Sequence, residues 1–364
     1  MKIKEKRWIF VFLGLLILVL YTIFSSYPLK KDLHLLPSWT INIRDVYESF
    51  SETKASFDYT NLPKTAYPFM LGSFLGALDT QGELIFVEHF DEKASISKKY
   101  WLRYTADAKN SLVQPLDGDP AFEIKEKGFP FAIGDFLFNF FPGGTNFGSY
   151  DEKGNLLWTA SQWSPITAFS VSSNAIAVGY VDGNLRLFST DGDVIFSTYP
   201  AGSRYELIYG AALSSDTSVL AAISGLDKQR FVLYAIDGDN TKIIYHEYLE
   251  NQQLTERFMQ FNTDNSKIYY CIEDGLVSFE LKTKKACFVA IPGKICSMQE
   301  LDFENIYSVL SREENKWFVS LLNTYNQIIA QFSFTAEIAS LFADGNALYL
   351  GRDESISKME LVRK

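Results

Sequence analysis

The fold of this chain is decided by a repeated phrase, one copy of which reads Phe147-Gly-Ser-Tyr-Asp-Glu-Lys-Gly-Asn-Leu-Leu-Trp158. A hydrophobic strand is followed by a short turn rich in Asp and Gly, and then by a second strand with an aromatic residue. Two further copies read Phe74-Leu-Gly-Ala-Leu-Asp-Thr-Gln-Gly-Glu-Leu-Ile-Phe86 and Leu185-Arg-Leu-Phe-Ser-Thr-Asp-Gly-Asp-Val-Ile-Phe196. Because a pair of strands cannot bury its apolar face alone, a chain that repeats such pairs must stack them around a common core.

The second half of the chain repeats a larger unit of four strands. Strand-like segments separated by turns begin near residues 166, 208, 258, 295 and 338. These starts lie roughly 40 residues apart, which is the spacing of the four-stranded blades of a β-propeller. The turn at Asp182-Gly183 supports this interpretation, because glycine adopts the positive φ that a tight hairpin requires.

The first half shows the repeat less regularly. Residues 129–158 predict one blade and residues 69–90 the second half of another, with an insertion at about residues 91–127 between them. An isolated strand is predicted at Trp39–Ile43, and the last repeat stops after its third strand at Leu361. We expect these two segments to pair, because pairing would close the ring and remove its open edges.

The chain resembles the broad superfamily of β-propellers with WD-like and pyrroloquinoline-quinone-like repeats. The resemblance rests on the phrase Leu-x-x-x-Asp-x-x-Gly-x-x-Leu-Trp, whose turn and second strand fall at residues 78–86, 150–158 and 188–196, and it covers about residues 38–364. We therefore expect an all-β propeller of four-stranded blades, seven in number, with six or eight as alternatives. The Gly-His and Trp-Asp signatures of true WD repeats are missing. Quinone-dependent dehydrogenases with this phrase use paired cysteines, but no two cysteines are adjacent here, so we predict no cofactor.

The N-terminus carries the second strong signal. Four basic residues within the first seven precede an uncharged stretch at residues 8–27. A helix of this length spans roughly 30 Å, about the thickness of the hydrocarbon core of a bilayer. We expect an uncleaved anchor rather than a signal peptide, because the apolar run is long and the sequence after it offers only a poor cleavage site.

These features predict a domain order and a location. Residues 1–27 are expected to form a cytoplasmic basic stub and a transmembrane helix, and residues 28–37 a stalk. The propeller at residues 38–364 would then lie outside the cytoplasm, in the periplasm or the extracellular space, because the basic side of a single span stays in the cytoplasm. The protein is thus predicted to be a single-pass protein of the cell membrane.

Composition excludes one class of partner. The net charge of -10 and the pI near 5.0 argue against a nucleic-acid partner. Aromatic residues make up 15% of the chain, which favours strands over helices. The three cysteines, Cys271, Cys287 and Cys296, lie in strand-like apolar runs and are expected to be free and buried.

No pattern of catalytic residues stands beside the repeat. The three histidines lie in unrelated contexts, and no nucleophile motif or phosphate-binding loop is present. Acidic segments at residues 117–119, 191–193 and 237–240 supply too few oxygen ligands for calcium, so they are interpreted as hairpin turns. The sequence therefore predicts neither an enzyme nor a metal site.

Four aromatic residues are the candidates for partner binding, because they lie in or beside the predicted insertion and loops: Trp101, Tyr104, Phe141 and Trp163. The alternative for each is packing against its own blade. The favoured function is a membrane-anchored protein-interaction platform, in envelope assembly by its outline resemblance to the soluble propeller of the outer-membrane protein assembly machinery. A sensor for a small ligand at the funnel of the ring is the alternative, and a hydrolase or lyase is less favoured.

Overall fold

The computed structural model describes residues 12–21, 33–53, 66–79, 81–105, 109–116, 119–238, 240–250 and 254–363. Within these residues, 31 strands form eight antiparallel sheets, seven with four strands and one with three. The sheets follow one another along the chain as the blades of a propeller. The predicted all-β propeller is therefore confirmed, with eight blades rather than the favoured seven.

Each blade is built from strands that are consecutive in the chain, except that the first strand joins the last blade. Blade 1 contains β2 (Tyr67–Leu71), β3 (Phe74–Leu78) and β4 (Leu84–His89), and blade 2 contains β5 (Lys93–Ile96), β6 (Tyr100–Tyr104), β7 (Ser111–Pro115) and β8 (Phe122–Ile124). Blade 3 contains β9 (Phe129–Ile133), β10 (Phe136–Phe140), β11 (Asn146–Tyr150) and β12 (Leu156–Ser161). Blade 4 contains β13 (Ile166–Val171), β14 (Ala175–Tyr180), β15 (Leu185–Ser189) and β16 (Val194–Thr198). Blade 5 contains β17 (Ile208–Leu213), β18 (Val219–Ser224), β19 (Arg230–Asp237) and β20 (Asn240–Tyr248), and blade 6 contains β21 (Met259–Phe261), β22 (Lys267–Ile272), β23 (Gly275–Glu280) and β24 (Lys285–Ala290). Blade 7 contains β25 (Lys294–Leu301), β26 (Ile306–Glu313), β27 (Lys316–Leu322) and β28 (Ile328–Thr335). Blade 8 contains β29 (Ala339–Asp344), β30 (Ala347–Arg352), β31 (Ser355–Arg363) and β1 (Leu33–Asn42).

The eighth blade comes from the segment that the sequence analysis interpreted as an insertion. Residues 91–127 contain a four-stranded sheet of their own, blade 2, so that interpretation is wrong. The strands of this blade are only three to five residues long. Such short strands hold too few alternating residues to give a clear period of two.

Blade 8 is completed by the N-terminal strand. Strand β1 pairs antiparallel with β31, with Trp39 opposite Lys358 and Ile41 opposite Ile356. The segment predicted at Trp39–Ile43 thus lies mostly within β1, which begins at Leu33 and includes part of the predicted stalk at residues 28–37. Because β1 and β31 come from the two ends of the chain, their pairing holds the termini together.

The three strands of blade 1 occupy the second, third and fourth positions of a blade. The hydroxyl of Tyr67 donates to Asp344 at the end of β29 (2.7 Å), and Leu71 packs against Gly351 near the end of β30. Strand β2 therefore runs in the same direction as β30, the second strand of blade 8, and so occupies the second position of blade 1. Residues 69–90 accordingly supply the later strands of this blade.

The repeated phrase forms the turn between the third and fourth strands of a blade. In blade 3, Asp151 Oδ1 accepts the backbone N–H groups of Lys153 and Asn155 at 2.9 and 2.8 Å. Asp79 makes the same pair of contacts in blade 1, and Ser189 and Asn323 make them in blades 4 and 7. A short polar side chain that accepts N–H groups further along the chain stabilises a tight turn.

The aromatic residue of the phrase joins one blade to the next. Trp158, on the outer strand of blade 3, packs on Gly192 in the turn of blade 4, and its Nε1 donates to the carbonyl of Thr190 at 2.8 Å. Gly192 has φ +91° and leaves no room for a Cβ, so both conformation and contact require glycine there. Trp39 in β1 packs in the same way on Gly82 of blade 1.

The hydrophobic core lies between the blades rather than at the centre of the ring. One buried cluster joins blades 5 and 6, with Phe231 stacked on Tyr270 at 4.5 Å between ring centroids. Another joins blades 7 and 8 around Val319 and Leu348. Second strands such as β14 and β18 are buried on both faces, because each blade packs between two others.

In the part of the chain that the structure describes, two helices accompany the blades: α1 at residues 12–21 and α2 at Ile43–Thr53. Helix α2 follows directly on β1, and it buries Ile43 against blade 1. The side chains of α1 are exposed. Among the described residues, no helix is long and apolar enough to cross a membrane. Residues 8–11 and 22–27 of the predicted transmembrane segment lie outside them.

Candidate functional site: the upper face of the propeller

One face of the ring carries two kinds of loop. Because the strands of a blade alternate in direction, the loops between second and third strands lie at the same end as the loops that lead to the next blade. Hydrogen bonds join these loops in blades 3 and 4: the N–H of Ile166 donates to the carbonyl of Gly144 (2.8 Å), and that of Val181 to Pro165 (2.9 Å). We call this end of the molecule the upper face.

An apolar cavity opens at the centre of the upper face. Its volume is about 570 Å³, and it is lined by the first strands of blades 2, 3 and 4 together with β2. We define the apolar mouth as the following residues of its wall: Met70, Phe129, Phe131, Ile133, Ile166 and Phe169. Three of them leave a large part of their side chain uncovered, with 47% of Met70, 40% of Phe129 and 39% of Phe131 exposed. Exposed apolar surface within a concave site is typical of binding sites.

Tyr104 lies in the wall of this cavity. It is the last residue of β6 and is half-buried beside the core of blades 2 and 3. Burial raises the pKa of its hydroxyl, so the ring stays neutral across the physiological pH range. The structure thus places this predicted residue at a site that a ligand can reach.

Phe141 follows β10 and begins the upper loop of blade 3. Its backbone N–H donates to Asn146 (3.0 Å), and its carbonyl accepts from Gly144 (3.1 Å), which closes the loop. The ring is half-buried and packs near Gly148. Phe141 therefore supports the loop beside the cavity and presents part of its side chain on the upper face.

Trp163 is the most exposed aromatic residue that the structure describes on this face. Its side chain is 100% exposed in the loop between blades 3 and 4. The neighbouring residues hold this loop in place, because Gln162 accepts from Arg186 and donates to Asp182, and the Ser164 hydroxyl accepts the N–H of Asp182. A fixed loop with an uncovered indole is a typical anchor for a protein partner.

Trp101 does not belong to this surface. It lies in β6 and is only 4% exposed, with Phe86 of blade 1 at 5.4 Å between ring centroids. The prediction that it is a partner-binding residue is wrong, because residues 91–127 form a blade whose rings pack against blade 1. The structure thus brings Tyr104, Phe141 and Trp163 to one face and places Trp101 in the core.

A second cavity adjoins the apolar mouth. It has a volume of about 650 Å³ and lies at the upper end of blades 6 and 7. We call it the charged pocket and define it by two cations, two carboxylates and their apolar neighbours: Lys294, Arg312, Glu256, Glu314, Phe258, Ile295, Cys296 and Trp317. Glu256 lines both cavities, so the two share one wall. None of these charged residues could be predicted from the sequence, because they are far apart in the chain.

The loop that carries Glu256 is anchored by a buried cation. The Arg257 side chain is only 3% exposed, and its guanidinium donates to the carbonyl of Cys271 (2.9 Å) and to the side chain of Gln229. Burial lowers the pKa of Arg257, which nevertheless stays charged at neutral pH because an arginine pKa is so high. These contacts fix the backbone next to Glu256.

The cysteines differ from the expectation of three buried thiols. All three are free, but only Cys271 is buried, whereas Cys287 and Cys296 are exposed. Cys287 lies on the outer strand of blade 6, which faces solvent, and Cys296 faces the charged pocket. The pKa of the Cys296 thiol is raised because the walls of the pocket partly desolvate it although part of its surface stays exposed, and the nearby Lys294 and Arg312 act in the opposite direction.

No group of three or more His, Cys, Asp or Glu side chains in the described part of the chain is arranged to hold a metal ion. The acidic segment at residues 191–193 forms the turn between β15 and β16. Residues 117, 118 and 239 of the other two acidic segments lie outside the described residues.

Comparison with known proteins agrees with this architecture. A family model described as beta-propeller protein matches residues 1–364, and the chain belongs to that family. A relative from Treponema pallidum (strain Nichols), described as an uncharacterized protein, is 27% identical over 362 residues, which cover 100% of this chain and 96% of the relative.

Among solved structures, the chain is similar to the crystal structure of BamB from Moraxella catarrhalis. The match has a TM-score of 0.56 and covers 90% of this chain and 100% of that chain. The sequence identity is 11%, so the likeness concerns the fold alone.

Proposed function

We propose that the protein is an interaction platform that binds a protein partner on its upper face, without catalysing a reaction. The observation that carries the proposal is the uncovered apolar surface there, namely the apolar mouth and the fully exposed indole of Trp163. A rigid ring holds these groups in fixed positions, so the propeller loses little conformational entropy when a partner binds to them.

The proposal includes a location. We infer that residues 8–27 anchor the protein in the cell membrane and that the propeller lies outside the cytoplasm. The support is the uncharged stretch behind a basic N-terminus. An anchored platform would hold its partner at the membrane, and a role in envelope assembly would fit such a position.

The test is site-specific photo-crosslinking in cells. A photoreactive amino acid replaces Trp163 in one variant and Tyr325 in the matched control. Tyr325 is 79% exposed, and it lies on the opposite face, in the turn between β27 and β28. Both positions are exposed, so neither change removes a buried contact.

We expect a protein adduct at position 163 and none at position 325. Met70→Asp, which places a charge in the apolar mouth, should weaken the adduct at 163 without lowering the melting temperature, since Met70 is 47% exposed. Equal labelling at the two positions, or none at 163, would contradict the proposal. An adduct with the mass of a small molecule would favour the alternative of a small-ligand sensor, which the cavity volumes also suit.

A further inference from the structure

The charged pocket contains two cations on neighbouring strands. Lys294 is the first residue of β25, and Arg312 is directly opposite it on β26. Opposed residues of an antiparallel pair have Cβ atoms roughly 5 Å apart, and two like charges at that distance destabilise the sheet. A blade would not retain this pair for stability alone.

Neither cation is neutralised within the described part of the chain. The ion pairs found there involve other residues, and neither Lys294 nor Arg312 takes part in one. The Nε of Arg312 donates to the backbone carbonyl of Glu314, and its guanidinium lies 5.1 Å from the centroid of the Trp317 ring. These contacts orient the guanidinium and leave its terminal nitrogens available to an anion.

We propose that Lys294 and Arg312 bind the C-terminal carboxylate of an extended peptide whose preceding side chains lie in the apolar mouth. This inference rests on the proposed function and names the part of the partner that is recognised. A carboxylate between an arginine and a lysine forms charge-assisted hydrogen bonds, which are the strong ones in proteins. Glu256 lines both cavities, so they lie side by side and an extended peptide can reach from one into the other.

The two carboxylates of the pocket favour a peptide over a fatty acid. Glu256 and Glu314 can accept N–H groups, which the backbone of a peptide supplies and an alkyl chain does not. The alkyl chain of a fatty acid offers no donor to either glutamate, so it gains nothing from them. The combination of two cations and two acceptors is therefore matched by a peptide terminus.

The experiment compares two pools of random hexapeptides, identical except that one ends in a free carboxylate and the other in an amide. The full-length protein, immobilised in detergent at low ionic strength, retains peptides that are then counted by mass spectrometry. The double variant Lys294→Gln/Arg312→Gln removes the cations. The control Lys282→Gln/Lys285→Gln makes the same change of charge at exposed positions at the base of the outer strand of blade 6.

We expect the protein and the control variant to retain the free-acid pool about tenfold more than the amide pool, as loss of a charge-assisted contact implies. The ratio should fall to about one in the double variant. Equal retention of both pools, or a ratio that persists in the double variant, would overturn the inference. If the two pools are retained equally and Met70→Asp abolishes their retention, the proposed function stands and only the inference about the C-terminal carboxylate fails. If neither pool is retained, the inference about the carboxylate fails, and crosslinking at position 163 decides the proposed function separately. Displacement of bound free-acid peptides by octanoate would assign the site to fatty acids instead.

Discussion

At the scale of the residue, the aromatic of the repeated phrase matters because of where it packs. Trp158 covers Gly192 of the next blade, and a Cβ on that glycine would lie 2.6 Å from the indole. We expect Gly192→Ala to lower the free energy of unfolding by about 1–3 kcal/mol beyond the strain of placing alanine at a positive φ, because the added methyl group overpacks the contact with Trp158. Urea unfolding followed by tryptophan fluorescence measures the change.

The control for this prediction is Gly143→Ala. Gly143 has φ +98°, close to the +91° of Gly192, but a Cβ there would meet no atom within 4 Å. Both variants therefore carry similar backbone strain, and only one carries the clash. If the two are equally stable, packing of Trp158 does not require a glycine in the turn.

A second residue-scale prediction concerns the thiols. Folded protein should react with a thiol reagent at Cys287 and Cys296 but not at Cys271, and denatured protein at all three. The thiolate is the reactive form, so labelling of Cys296 should accelerate as pH rises, and its raised pKa shifts this acceleration to higher pH than for an ordinary thiol. Lys294→Gln/Arg312→Gln removes two cations that oppose this shift, so it should slow labelling of Cys296 and leave Cys287 unchanged. Mass spectrometry of the labelled peptides measures the labelling rate of each cysteine. Equal labelling rates of Cys296 in the protein and in the double variant would contradict the prediction.

At the scale of the element, β1 is the strand with the largest structural consequence. It forms the outer edge of blade 8 and packs Trp39 on Gly82 of blade 1, so it joins the last blade to the first. A chain that starts at Lys30 retains β1, whereas one that starts at Asp45 lacks it. We expect the shorter chain to lose at least about 3 kcal/mol, because a large aromatic contact and a strand edge are both lost. Thermal unfolding by circular dichroism is the measurement, and identical melting temperatures would show that β1 does not close the ring.

At the scale of the whole molecule, the prediction is membrane attachment. The protein should stay in the membrane pellet after extraction with alkaline carbonate, because residues 8–27 are uncharged over a length that matches the bilayer. The chain that starts at Lys30 is the control and should be found in the supernatant. Release of the full-length protein, with a new N-terminus near Tyr27, would show that the segment is a cleaved signal.

The sequence by itself determined the class of fold and three of the aromatic residues on the upper face. Turn residues such as Asp151 and Gly154 act within a few residues of themselves, so the repeat could be recognised without knowing what packs around it. Closure through Trp39 was predictable for a related reason, since pairing of β1 with β31 covers a strand edge that would otherwise stay open. Tyr104, Phe141 and Trp163 could be chosen because aromatic residues in loops often remain exposed.

Only the tertiary structure decided the number of blades, the burial of Trp101 and the composition of the site. Blade 2 has strands too short for a clear alternation, and its stability comes from packing against blades 1 and 3. The apolar mouth combines Met70 of blade 1 with residues of blades 3 and 4, and the charged pocket pairs Lys294 with Arg312 across two strands. Such neighbours are set by the closure of the ring, which brings distant segments together and which no local pattern encodes.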